Sequence, residues 1–156
     1  MKKIISIFLA CVMCLGLSVP VCAAEQTEHF EMTEVEYDWG DKIDQETSVC
    51  TEYIMTVETY IQKKTANSVY IRGNVMCDST VKTIKGYYYL QKNYGDGWVT
   101  VGSNSATVSN ASFFGKTMVV SDLTSGIYRA KFTGQVTDDM GYTEAVTCYS
   151  PTITID

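Results

Sequence analysis

From residue 50 onward, apolar and β-branched side chains alternate with polar ones in short runs, the period of a half-buried strand. TEYIMTVETYIQ (51–62) is the first run and KKTANS its polar break. SVYIRGNVMC (68–77) sets Val69, Ile71, Val75 and Cys77 on one face against Tyr70, Arg72 and Asn74. VKTIKGYYYLQKN (81–93) groups Ile84, Tyr88 and Leu90, so Tyr87 and Tyr89 face the other way. Asp96-Gly97 is a hairpin signal before WVTV (98–101). SFFGKTMVV (112–120), IYRAKFTGQV (127–136) and a run from Tyr142 to Ile155, broken at Pro151, complete about seven strands. No stretch has helical period, so the pattern predicts an all-β antiparallel sandwich over residues 49–156.

One segment refines that expectation. In SDLTSGIYRAKF (121–132), Gly126 and Tyr128 have the spacing of a tyrosine corner, where the ring enters the core and the hydroxyl bonds back to upstream backbone. Ala130 and Phe132 continue the inward face. An immunoglobulin-like sandwich follows, but not an antibody domain. Ala130 stands where the second cysteine of antibody domains would be, and Trp98 follows the hairpin instead of lying in mid-strand C. Tyr128, Gly126 and Trp98 are taken as structural residues.

The N-terminus reads differently. Lys2 and Lys3, an apolar stretch over 4–19 and Cys22-Ala23-Ala24 make residues 1–24 a signal peptide, which implies a secreted, extracellular protein with no membrane attachment after cleavage. Residues 25–48 form an acidic arm. Nine carboxylates lie between Glu25 and Glu46 against Lys42 alone, whereas residues 47–156 hold nine acids and nine bases. Such an arm repels itself and is expected to be mostly disordered. VEYDWG runs against that, because Val35, Tyr37 and Trp39 alternate with Glu36 and Asp38 and would suit a segment docking on a sheet edge. The charge distribution carries no basic nucleic-acid footprint.

Catalytic and metal chemistry are poorly represented. His29 is the only histidine and sits in the arm, away from any serine or cysteine nucleophile of the domain. Cys50, Cys77 and Cys148 are too dispersed for zinc. Asp38, Asp41 and Asp44 lack the rhythm of a calcium loop, so no metal, no cofactor and no enzyme activity is expected. In an immunoglobulin-like topology the three cysteines fall at one end of the sandwich. Any two of them could pair there, in the order Cys50–Cys77, Cys50–Cys148, Cys77–Cys148, with a buried free thiol as the competitor. Tyr87 and Tyr89, with Tyr94 in the hairpin, are the candidate ligand-binding surface, suited to a sugar ring or a protein partner.

YYYLQKNYGDGWVTV, GIYRAKFTGQV and YTEAVTCYSPTITI together resemble an uncharacterised family of small secreted proteins from gut Firmicutes. The resemblance spans residues 81–156. It rests on Tyr89, Leu90, Trp98, Gly126, Tyr128, Arg129, Lys131, Glu144, Thr147, Ile153 and Ile155, which are strand and packing positions. It implies the sandwich fold and no catalytic residue. The expected function is a secreted non-catalytic binding or surface-structural module. The alternatives are a carbohydrate or cell-wall binding module using the tyrosine surface, and an inhibitor-type protein-binding module.

Overall fold

A computed structural model describes residues 28–39, 46–49 and 51–156. Residues 1–27, which include the segment expected to be a signal peptide, residues 40–45 of the arm and Cys50 lie outside the described residues. The strands are β1 (Met32–Val35), β2 (Glu46–Val49), β3 (Ile54–Thr65), β4 (Ser68–Asn93), β5 (Trp98–Val120), β6 (Gly126–Thr137), β7 (Thr143–Tyr149) and β8 (Ile153–Ile155). All pairings are antiparallel.

β4 and β5 form one long hairpin whose register shifts twice, by one residue at Leu90/Gln91, where Val101 is extra, and more widely at a bend. The bend lies between Met76 and Val81, where residues 77–80 lie against Ser112 alone, and such a bulge re-aims both strands. Before the bend, residues 69–76 and 113–120 lie between β3 and β1, with β2 beyond β3. After it, residues 83–93 pair with residues 98–109 on one side and with β6 on the other, and β7 and β8 follow β6. In immunoglobulin lettering these are an A-B-E sheet and a C′-C-F-G sheet, so the fold is an immunoglobulin-like β-sandwich. Four of the seven predicted runs thus belong to two continuous strands. Asp78-Ser79-Thr80 carries no glycine or proline to end a strand, and the serine- and threonine-rich 102–110 keeps its pairing despite few apolar residues.

The two sheets meet on the predicted inward faces. Tyr88, Phe114 and Phe132 are fully buried and in mutual ring contact, with centroids 4.8 to 6.4 Å apart. The Tyr88 hydroxyl crosses between sheets to donate to the Lys116 carbonyl at 2.9 Å. Three rings fit because the two halves of β4, before and after the bend, yield space beneath them. A Cβ on Gly86 would lie 2.6 Å from Phe114 and 2.7 Å from Phe132, and one on Gly73 would overlap the Phe132 ring. This cluster fills the interior where antibody domains place a disulfide. Ala130 is buried, and its backbone exchanges hydrogen bonds of 2.8 and 2.9 Å with Ser150. No disulfide joins Cys77 and Cys148, both of which are buried. Burial, helped by Asp78 and Glu144, pushes the Cys77 thiol up to about 11.

The corner predicted from SDLTSGIYRAKF is present: Tyr128 donates to the Thr124 carbonyl at 2.8 Å from a fully buried ring. Gly126 has φ 153°, and a Cβ there would meet the Lys92 side chain at 2.7 Å. Tyr128→Phe removes the part-buried hydrogen bond to the Thr124 carbonyl and the longer one to Thr124 Oγ1, and is expected to lower stability by about 1 kcal/mol in urea unfolding. An unchanged midpoint would mean the corner is only a shape.

The arm is corrected over the described residues: it is docked, not disordered. β1 pairs with the β5 edge from Met32↔Val120 to Val35↔Thr117, and β2 pairs with β3 on the opposite edge of the same sheet. Between them Tyr37 stacks on Tyr70 at 4.0 Å, and the buried Trp39 donates from Nε1 to Thr117 Oγ1 at 3.0 Å. The N-terminal segment therefore straps the outer face of the A-B-E sheet and closes both of its edges. The acids find cations: Glu28 meets Lys92 and Glu34 meets Lys116, each at 2.7 Å.

Candidate functional site

The outer face of the C′-C-F-G sheet is not covered by the strap. Its register sets side chains in rows: Ser105–Tyr87–Thr133–Thr147, then Ser103–Tyr89–Lys131–Tyr149, then Thr100–Gln91–Arg129, then Trp98–Asn93–Ile127. Two further rows, through Lys85 and Thr83, are made of threonine, serine, glutamine and alanine beside that one lysine. Rows step by two residues along each strand, about 7 Å, and neighbours across strands are about 4.8 Å apart.

Four aromatic rings stand on this face. The Arg129 guanidinium lies 4.2 Å from the Trp98 ring centre and 4.4 Å from that of Tyr149. Arg129 Nε donates to Gln91 Oε1 at 2.9 Å, which fixes the plane of the fork. The Lys131 ammonium sits 5.2 Å over Tyr89, and that of Lys85 4.6 Å over Tyr87, whose hydroxyl donates to Gln135 at 3.0 Å. Thr133 and Thr147 hydroxyls bond at 2.7 Å, and Thr137 and Thr143 at 2.9 Å. No outward position of residues 83–93, 98–109, β6 or β7 is Asp or Glu. The ion pairs among the described residues are Lys63–Asp156, Lys92–Glu28 and Lys116–Glu34, so none uses Lys85, Arg129 or Lys131.

The structure divides the predicted tyrosines. Tyr87 and Tyr89 belong to this face, half-buried on either side of inward Tyr88. Tyr94 does not. It lies at the end of the sandwich, where its hydroxyl donates to Glu28 at 3.1 Å, because the turn closed by Tyr94 N–H to Gly97 carries it past the last strand pair. Trp98, taken as a structural residue, is the register partner of Asn93 and faces outward into the aromatic rows. Arg129, Lys131 and Tyr149 were missed as site residues. Strand parity from Tyr128 makes Arg129 outward, but only the pairing of three strands brings it between Trp98 and Tyr149.

At the sandwich end, Glu28 accepts from Lys92 at 2.7 Å and from Thr124 at 3.0 Å. The Lys92 hydrogen bond holds the Glu28 carboxyl below its ordinary 4.5, against partial burial and with help from Thr124 and Tyr94. Burial pulls Lys92 down, but the bonds to Glu28 and Tyr128 outweigh it and leave that ammonium above 10.5. The depressed carboxyl contributes stability above its unfolded pKa and loses it as pH falls through the folded value. The raised ammonium contributes below 10.5 and loses it at higher pH. Unfolding midpoints measured downward from pH 4.5 are expected to fall less steeply in Glu28→Gln than in the wild type. Parallel acid limbs would exclude the pair as a source of acid sensitivity.

His29 is docked, contrary to its expected distance from the domain. It lines a shallow hollow of about 330 Å³ with Glu31, Thr33, Ser121 and Asp122. No hydrogen bond joins its ring to Ser121 or Asp122, so the nucleophile–base contact of a triad is not formed. Among the described residues, no cluster of His, Cys, Asp and Glu groups metal ligands together.

No family model matches the chain, and no curated protein does. Among solved structures, the chain is similar to the GAE domain of GGA2p from Saccharomyces cerevisiae. The identity is 10%, over 72% of this chain and 98% of that one, with a TM-score of 0.38. So distant a likeness says nothing of function.

Proposed function

We propose that the protein is a secreted, non-catalytic binding module that holds a glycan chain across the outer face of its C′-C-F-G sheet. The observation that carries this reading is the set of four aromatic rings, Tyr87, Tyr89, Trp98 and Tyr149, at neighbouring register positions among serine and threonine hydroxyls. Ring faces pack against the C–H faces of sugars, and hydroxyls on a rigid sheet meet sugar hydroxyls without reorganising. The face offers almost no aliphatic anchor for a protein hot spot: Ile127 and Ala145 are its aliphatic side chains. The signal-like residues 1–24 support a location where such polymers occur.

The test is retention of the purified protein on insoluble peptidoglycan, mucin and plant cell-wall polysaccharide. Tyr89→Ala combined with Trp98→Ala is expected to abolish retention while leaving the unfolding free energy in urea within about 1 kcal/mol of wild type, as for surface changes. Retention that survives both substitutions moves the site off this face. A protein partner is the second reading, and it is favoured by Met76 and Phe113. These are register partners on the other sheet, 45% and 48% exposed at the bend. Capture of one partner protein, lost in Phe113→Ser, would decide for it.

A further inference from the structure

The charge on the proposed face narrows the ligand. The chain carries 18 acidic and 12 basic residues, yet the outward positions of these four strand segments hold Lys85, Arg129 and Lys131 and no carboxylate. In an acidic protein, unpaired cations gathered on an acid-free sheet form a local positive field.

Arg129 is more than a surface charge. Its guanidinium is held near two ring faces, and its Nε is committed to Gln91. Among the described residues its remaining N–H donors have no acceptor. A fork fixed in this way loses little freedom when it closes on a planar carboxylate, and its bidentate geometry favours that group. Lys131, one row along β6, supplies a second cation over Tyr89.

From this we infer that the face is specific for a polyuronate, a polysaccharide bearing one carboxylate per sugar, with Arg129 gripping a carboxylate and Lys131 attracting the next. Three cations at separate positions match a chain with one charge per sugar, whereas a heavily sulfated chain needs a denser array. The inference rests on the glycan-binding reading and sharpens it.

Affinity electrophoresis of the full chain in sodium polygalacturonate, in fully methyl-esterified polygalacturonate and in poly-glutamate tests it. Strong retardation is expected in polygalacturonate, weakening as salt is added. Retardation is expected to be weak in the ester, which keeps the sugar backbone but has no charge. Arg129→Gln and Lys131→Gln are each expected to weaken polygalacturonate binding about tenfold, the loss of one charge-assisted pair. Arg129→Lys retains the charge but not the fork and is expected to rescue only part of the loss. Lys131→Gln, at a half-buried outward position that holds no ion pair, keeps the test intact should a change at Arg129 impair folding. Equal binding of acid and ester, unmoved by either substitution, overturns the inference and leaves a neutral-glycan module. Poly-glutamate bound as tightly as polygalacturonate also overturns it, in favour of an acidic-peptide surface. Failure to bind any polysaccharide sinks both readings.

Discussion

Phe132→Ala is expected to lower the unfolding free energy by about 4 kcal/mol, the range for an aromatic side chain removed from a core that cannot collapse around the void. The ring is fully buried, contacts Tyr88 and Phe114, and rests where Gly73 and Gly86 leave room for it. Pairing with Tyr88 of β4 and Cys148 of β7 holds the backbone on both sides, so collapse is restricted. Urea unfolding measures the loss. The glycines supply a second reading of the same geometry. Gly73→Ala alone forces its Cβ into the Phe132 ring and destabilises, but in the Phe132→Ala background that penalty should largely vanish. Additive costs in this double-mutant cycle would show that the two positions do not touch.

Trp39→Ala is expected to release the strap, at a cost of about 3 kcal/mol from lost burial and from leaving Thr117 without its donor. Trp39 also packs edge-on to Tyr37 at 5.5 Å and near Tyr60 at 6.0 Å, so its loss loosens the Tyr37–Tyr70 stack as well. Hydrogen exchange reads the effect directly. The β1 amides are expected to exchange faster by roughly two orders of magnitude, in line with 1.4 kcal/mol per tenfold. The Tyr88 and Phe132 amides should change far less. Unaltered β1 protection would mean that edge pairing alone holds the segment.

The docking of an acidic segment has a simple physical basis. Charges more than about 10 Å apart in physiological salt scarcely feel one another, and two carboxylates find ammonium partners at Lys92 and Lys116. Burial of Met32 and Trp39 is worth roughly 2 kcal/mol per side chain. Counting charge therefore suggested disorder, while the alternation of Val35, Tyr37 and Trp39 carried the better signal.

Tyr87 and Tyr89 show how far local pattern reaches into the site. Strand parity around Tyr88 is enough to turn them outward, and chain order alone put Tyr94 beside them. Tyr94 lies beyond the last strand pair, where the turn points it to Glu28, a residue distant in sequence.

The sequence by itself determined the all-β class, the inward faces of the strands, the 94–97 hairpin and the tyrosine corner. Each depends on residues a few positions apart, where period two or one turn decides the geometry. Only the tertiary structure decided that two long strands bend through both sheets, that the strap closes both edges of one, and that Arg129 stands between Trp98 and Tyr149. These depend on register between segments tens of residues apart, which is chosen by the total burial of the two packed sheets and by no local preference.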